Sequence, residues 1–148
     1  DKVIVMNNAV IAQEGSPKDL YNLPKNKFVA NFIGDANVVK AELINKKSDI
    51  YELKLGEMSV SIKSERDLNG SVSVALRPEK ININKEKTSN SILAKVNNAS
   101  FVGSNYQYIF NSTLGKLYVV SGDTNNVFKV NEEVCLTIDA EEIKILED

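Results

Sequence analysis

Histidine is missing from the 148 residues, and cysteine occurs once. Without histidine the commonest general base and metal ligand is gone, so Ser-His-Asp and Cys-His catalysis is excluded. The single thiol, Cys135, cannot close an internal disulfide, which points to a reducing compartment. Set in V-C-L-T-I, it reads as a small buried hydrophobe. No apolar run approaches the ~18 residues of a membrane-spanning helix, and there is no signal-peptide pattern. The phosphate-cradling G-x-x-x-x-G-K-[ST] is missing, as are G-x-G-x-x-G and the S-x-x-K and G-x-S-x-G nucleophile motifs. An excess of one charge is missing too: 18 Lys and Arg stand against 20 Asp and Glu, a net charge of -2. Mixed charge of this kind neutralises few phosphates and argues against nucleic-acid binding. Asp139, Glu141 and Glu142 read as surface neighbours rather than a glycosidase pair.

What is present is β pattern. The chain is organised around residues 72–83, V-S-V-A-L-R-P-E-K-I-N-I. Val72, Val74 and Leu76 alternate with small or polar neighbours, the period of a half-buried strand. Arg77-Pro78 then breaks the ladder, because proline has no N–H and excludes the preceding residue from helical space. Strand-like sequence on either side makes this the junction of two small β units.

Taken in order, residues 3–6 and 10–12 predict a hairpin around Asn7-Asn8. A strand that opens the chain with no methionine before it reads as the middle of a larger protein. Ser16-Pro17-Lys18-Asp19 is a helix start, with Ser16 as cap, Pro17 at N1 and Asp19 at N3. Leu23-Pro24 ends this helix. Asn26 caps a second, whose Phe28, Val29, Phe32 and Ile33 form one apolar stripe. Gly34 suits the left-handed position just past it. Residues 35–37 read as a linker. From Val38 the period is two, with a turn at 45–48 and strands at 50–55, 58–62 and 72–76. A second set begins at 92–96, is interrupted by a glycine-bearing turn or bulge at 99–105, and resumes with Tyr106, Tyr108 and Phe110 on one face. Strands follow at 114–120 and around Val134, Leu136 and Ile138, with a short edge strand at 143–146. The alternating aromatics read as core or protein interface. The fold expected is mainly β: OB-like small barrels of antiparallel strands, preceded by a short hairpin and two short helices.

The start and the break also resemble a known family. Residues 1–8 followed by I-A-Q-E-G-S-P resemble the last hairpin of an ATP-binding cassette ATPase. D-L-Y-N-L-P and F-V-A-N-F-I-G are similar to the closing helices of the ATPase subunits of bacterial importers. V-A-L-R-P-E and A-S-F-V-G-S are similar to two motifs of their C-terminal regulatory domain, the transport-associated OB module. F-V-A-N-F-I-G-D-A-N and L-R-P-E-K-I resemble the spermidine/putrescine branch most, and the iron, sulfate and sugar relatives use similar phrases.

The resemblance implies residues 1–35 as the remnant of the ATPase domain and 36–148 as the regulatory domain, with sub-units about 36–77 and 78–148. It implies that the nucleotide-binding and catalytic motifs lie before Asp1 in the parent. ATP and Mg2+ would then belong to the parent, with no cofactor, metal or catalytic residue in this stretch. Expected partners are a second copy through the β domain, a second ATPase subunit and membrane permease subunits, and no nucleic acid. The expected place is cytoplasmic, with the parent peripheral on the inner face of the bacterial membrane. Candidate regulatory or interface residues are Arg77, Glu79, Phe101, Gly103 and Ser104. The alternative function is a sensor, with amides near Gly103-Ser104 and the Arg77 guanidinium for an oxyanion, or Glu79 or the acidic tail for a polyamine; a further alternative is the same domain from an iron, sulfate or sugar importer.

Overall fold

The computed structural model describes residues 1–147. The chain opens with an antiparallel hairpin, β1 (Val3–Asn7) and β2 (Val10–Gly15). Asn8 and Ala9 both take positive φ, +52° and +64°, the tight reversal that matches the twist of the flanking strands. Helices α1 (Pro17–Asn22) and α2 (Lys27–Ile33) follow. Both predicted caps form: the Asp19 N–H donates to Ser16 Oγ, and the Val29 N–H donates to Asn26 Oδ1.

The remainder is two curled five-stranded antiparallel sheets, an OB-like arrangement of half-barrels. The first contains β3 (Asn37–Lys47), β4 (Ile50–Leu55), β5 (Met58–Lys63) and β6 (Ser71–Leu76). The second contains β7 (Asn82–Asn84), β8 (Ile92–Phe101), β9 (Tyr106–Ser112), β10 (Gly115–Ser121) and β11 (Glu133–Thr137). The chain leaves the first sheet at Arg77, through a 3-10 turn at Pro78–Lys80. It returns at the end, where β12 (Ile143–Ile145) pairs with β6. The strand orders are β12-β6-β3-β4-β5 and β10-β9-β8-β11-β7.

One hydrophobic core fills the space between the sheets. Leu53, Leu55 and Leu76 meet Tyr108, Phe110, Leu117 and Leu136 there, all essentially inaccessible to solvent. Tyr106, Tyr108 and Phe110 stack along β9, with ring centroids 5.9 and 5.5 Å apart. Cys135 is buried, as its neighbours required. The helices sit outside. Alternation along β6 turns Val74 and Leu76 inward, which leaves Ala75 on the outer face, where it packs on Ala30 of α2 and on Leu146. Two alanines at that contact allow helix and strand to approach closely.

Four local expectations change. Gly34 is extended, with φ 175°, and is not left-handed. Its need is space: an added Cβ would lie 3.2 Å from the Tyr21 ring and 3.4 Å from the Arg77 guanidinium. Asn37 is no linker; it starts β3 and is buried. The reversal expected at 45–48 falls later, because β3 runs through Lys47 and Ser48 takes the positive φ. Residues 99–101 stay in strand: β8 continues to Phe101, its irregularity lies between Val96 and Asn98, and the turn begins after it.

Candidate functional site

The break in the organising stretch is where the helices are fastened to the sheets. Arg77 directly follows β6, and its side chain is directed at α1 and α2. It is 5% exposed. Its Nε and Nη2 donate to the Tyr21 carbonyl at 3.3 and 2.8 Å. Its Nη1 donates to the carbonyls of Ala30 and Gly34, both at 3.1 Å. These acceptors belong to the last turns of the two helices, where free carbonyls and the negative ends of the helix dipoles gather. Neither helix has a basic residue in its own last turn. Arg77 therefore supplies the C-terminal cation for both from a distant strand.

Tyr21 completes the latch. The guanidinium lies 4.1 Å from its ring centroid, a cation–π contact. The Tyr21 hydroxyl donates to the Glu79 carboxylate, with O···O distances of 2.6 and 2.5 Å. Burial and the hydrogen bond to Glu79 push the Tyr21 phenol up to about 12. Burial lowers the Arg77 guanidinium from its usual range, and the negative charge of Glu79 opposes that change. Glu79 is itself exposed, so the counter-charge stands in solvent behind the ring.

The other candidates lie elsewhere. Phe101 is 57% exposed and meets Tyr106 with ring centroids 5.1 Å apart. Gly103, at φ +92°, and Ser104 form the β8–β9 turn, which the Val102 N–H closes by donating to the Asn105 carbonyl. Among the described residues no hydrogen bond or ring contact joins this turn to Arg77 or Glu79. No group of three or more potential metal ligands is present among the described residues, and no helix there is long and apolar enough to cross a membrane.

Three residues matter that sequence reading passed over. Tyr21 drew notice only as part of D-L-Y-N-L-P. Asn37 and Asn90 each use a side-chain amide as a surrogate strand. The Asn37 Nδ2 donates to the Tyr118 carbonyl at 2.8 Å, and the Tyr118 N–H donates to Asn37 Oδ1 at 2.8 Å. Asn90 does the same for Ser59, donating to its carbonyl at 3.0 Å and accepting its N–H at 2.6 Å. Both seams between the sheets are closed in this way. A buried asparagine at a strand start and a polar residue before a strand were the only signals.

Residues 74–146 match the TOBE domain family. A ferric-iron import ATP-binding protein, FbpC of Agrobacterium fabrum, is 30% identical over 92% of the chain and 38% of its own length. A spermidine/putrescine import ATP-binding protein, PotA of Acetivibrio thermocellus, is 34% identical over 99% of the chain and 40% of its own length. The chain thus spans about two fifths of these relatives. Among solved structures, the cytoplasmic molybdate-binding protein ModG, with molybdate bound, superposes with a TM-score of 0.60. That match covers 74% of this chain and 94% of ModG at 11% identity, and it shows a shared fold. Residues 74–146 thus match the TOBE domain, and the chain is similar to the C-terminal region of ABC importer ATP-binding proteins for iron and polyamines.

Proposed function

We propose that this chain is the regulatory and assembly portion of the ATP-binding subunit of a bacterial importer. The observation that carries the reading is the Arg77 latch. Four donor contacts from one buried guanidinium bind the helical segment to the β domain. Hydrogen bonds from a charged donor are the strong ones, and here they have little competing water. A displacement of the hairpin and helices is therefore delivered to the sheets, and the reverse holds equally. In the parent, ATP and Mg2+ act upstream, and the β domain holds two ATPase subunits together beneath their permease on the cytoplasmic face of the membrane. Phe101 and Val102, exposed at the β8–β9 tip, are apolar groups suited to such pairing. No nucleic acid enters this reading.

Polyamine is the cargo proposed for the parent, supported by 34% identity over 99% of the chain to a polyamine-import protein. Ferric iron is the second reading, supported by the iron-import relative at 30% identity. The test uses the full-length subunit reassembled with its permease. Arg77→Ala is expected to keep ATP hydrolysis while cutting the cargo-dependent stimulation of that hydrolysis several-fold. Unchanged coupling would sink the latch reading. Uptake of labelled spermidine against ferric iron decides the cargo. The chain by itself is expected to show concentration-dependent light scattering and no magnesium-dependent ATP hydrolysis; hydrolysis would place the motor here and overturn the assignment.

A further inference from the structure

Each sheet ends in two edge strands, and a strand edge is a template for pairing unless something covers it. On three of the four edges a side chain caps part of the strand. Asn37 occupies the Tyr118 position of β10. Asn90 occupies the Ser59 position of β5. At β12, Arg66 donates to the carbonyls of Ile145 and Leu146 at 3.4 and 3.0 Å. The fourth edge is β7. It pairs with β11 on one side and, among the described residues, with no strand or capping side chain on the other.

The uncovered edge lines a groove of about 890 Å³. Across the groove stand the end of β10 and the loop from Gly122 to Phe128. Polar groups of alternate residues in a strand point the same way. The Tyr118 N–H and C=O point away from β9 toward Asn37, so those of Val120 also point away from β9, on the groove side of the strand. The groove is therefore flanked by two strand edges that belong to one curled sheet and do not meet. Its ionisable side chains are Glu79, Asp123 and Lys85. Lys85 is paired with Glu132 at 3.6 Å, which leaves the local balance negative.

We propose that β7 is a docking edge for an extended peptide segment of a partner protein, which adds a strand in this groove and carries a lysine or arginine toward Glu79 and Asp123. Main-chain hydrogen bonds hold the segment, and the carboxylates select its charge. The same chemistry disfavours an acidic segment.

The probe is a capped synthetic heptapeptide alternating valine and lysine, titrated into the isotopically labelled chain. Amide shifts are expected at residues 82–84 and 120–122, with slowed hydrogen exchange there. A peptide N-methylated at alternate positions cannot donate, and is expected to bind at least tenfold more weakly. A valine–glutamate version is expected to bind more weakly still. Glu79→Gln is expected to reduce the preference for lysine over glutamate while the fold persists, as read from an unchanged amide spectrum of β8 and β9. Failure of the lysine peptide to bind overturns the proposal. So does equal affinity for the N-methylated peptide, or a shift pattern centred on the β1–β2 hairpin.

Discussion

The N-terminal segment, residues 1–36, and the sheets that follow are held together by different means. The sheets share one core, and strands distant in sequence pair within each, so their stability is spread over many residues. The N-terminal segment has only small clusters, Val5 with Leu20 and Val29, and Ala30 with Ala75 and Leu146. Its hairpin leaves Ile4, Met6, Val10 and Ile11 about half exposed or more, at 50%, 54%, 67% and 53%. A lone hairpin and two short helices are marginal in water. Their order depends on polar ties: the Arg77 latch, and Gln13, whose amide donates to the Leu23 carbonyl and accepts the Lys25 N–H. One region is stabilised by volume filled, the other by a few directed bonds.

Substitutions at chosen points break or sharpen that contrast. Phe110→Ala has the largest expected effect. Removing a fully buried ring costs about 3–5 kcal/mol, and chemical denaturation should show the sheets and the N-terminal segment losing structure together. Arg77→Ala comes next. It leaves the carbonyls of Tyr21, Ala30 and Gly34 without their charged donor, at a cost of roughly 3 kcal/mol. Hydrogen exchange should accelerate in α1 and α2 but not in β8 or β9; equal acceleration everywhere would erase the contrast. Asn37→Ala orphans the Tyr118 N–H and C=O and should cost about 2 kcal/mol, read as a lower denaturation midpoint and faster exchange at residues 117–119. Ser16→Ala removes one helix cap and should cost about 1 kcal/mol, confined to α1 amides.

A further effect is set by pH. The Tyr21 phenol is raised to about 12 from an ordinary value of 10.0. Between these values the folded chain keeps a proton that the unfolded chain has lost, so stability falls as pH rises. The tie is complete below pH about 10 and is lost as pH climbs through about 12. Burial also raises the Tyr108 and Tyr118 phenols, so the Tyr21 step is identified in the ultraviolet titration by Glu79→Gln, which should move it back toward 10.0 by removing the carboxylate.

Much of this fold was legible. Ser16 and Asn26 announced their helices because capping is a local transaction between a side chain and amides three residues on. The strand alternation of Val74, Leu76, Tyr108 and Phe110 announced a core because burial follows the pleat. Arg77-Pro78 marked the crossing between sheets. What Arg77 touches was not legible, since its acceptors are main-chain carbonyls, which carry no residue identity, and they lie 43 to 56 residues away. Gly34 was read through its commonest use, a positive φ, whereas the need here is set by neighbours from other elements. Asn37 was read, with Asp35 and Ala36, as linker. Its amide reproduces a peptide group, a role that only the facing strand reveals.

That substitution of side-chain amide for backbone amide gives the barrel a sense of time. An asparagine slowly loses its side-chain nitrogen as ammonia when the next residue's backbone nitrogen attacks the side-chain carbonyl carbon to close an imide ring, and water opening that ring leaves a carboxylate with no N–H to offer. At Asn37 the following residue is the branched Val38 in a regular strand, which hinders the attack. At Asn90 the next residue is Ser91 and the asparagine is exposed. The two seams should therefore age at different speeds, the one at Ser59 opening first, and peptide mapping of stored protein should find the converted residue at 90 before 37.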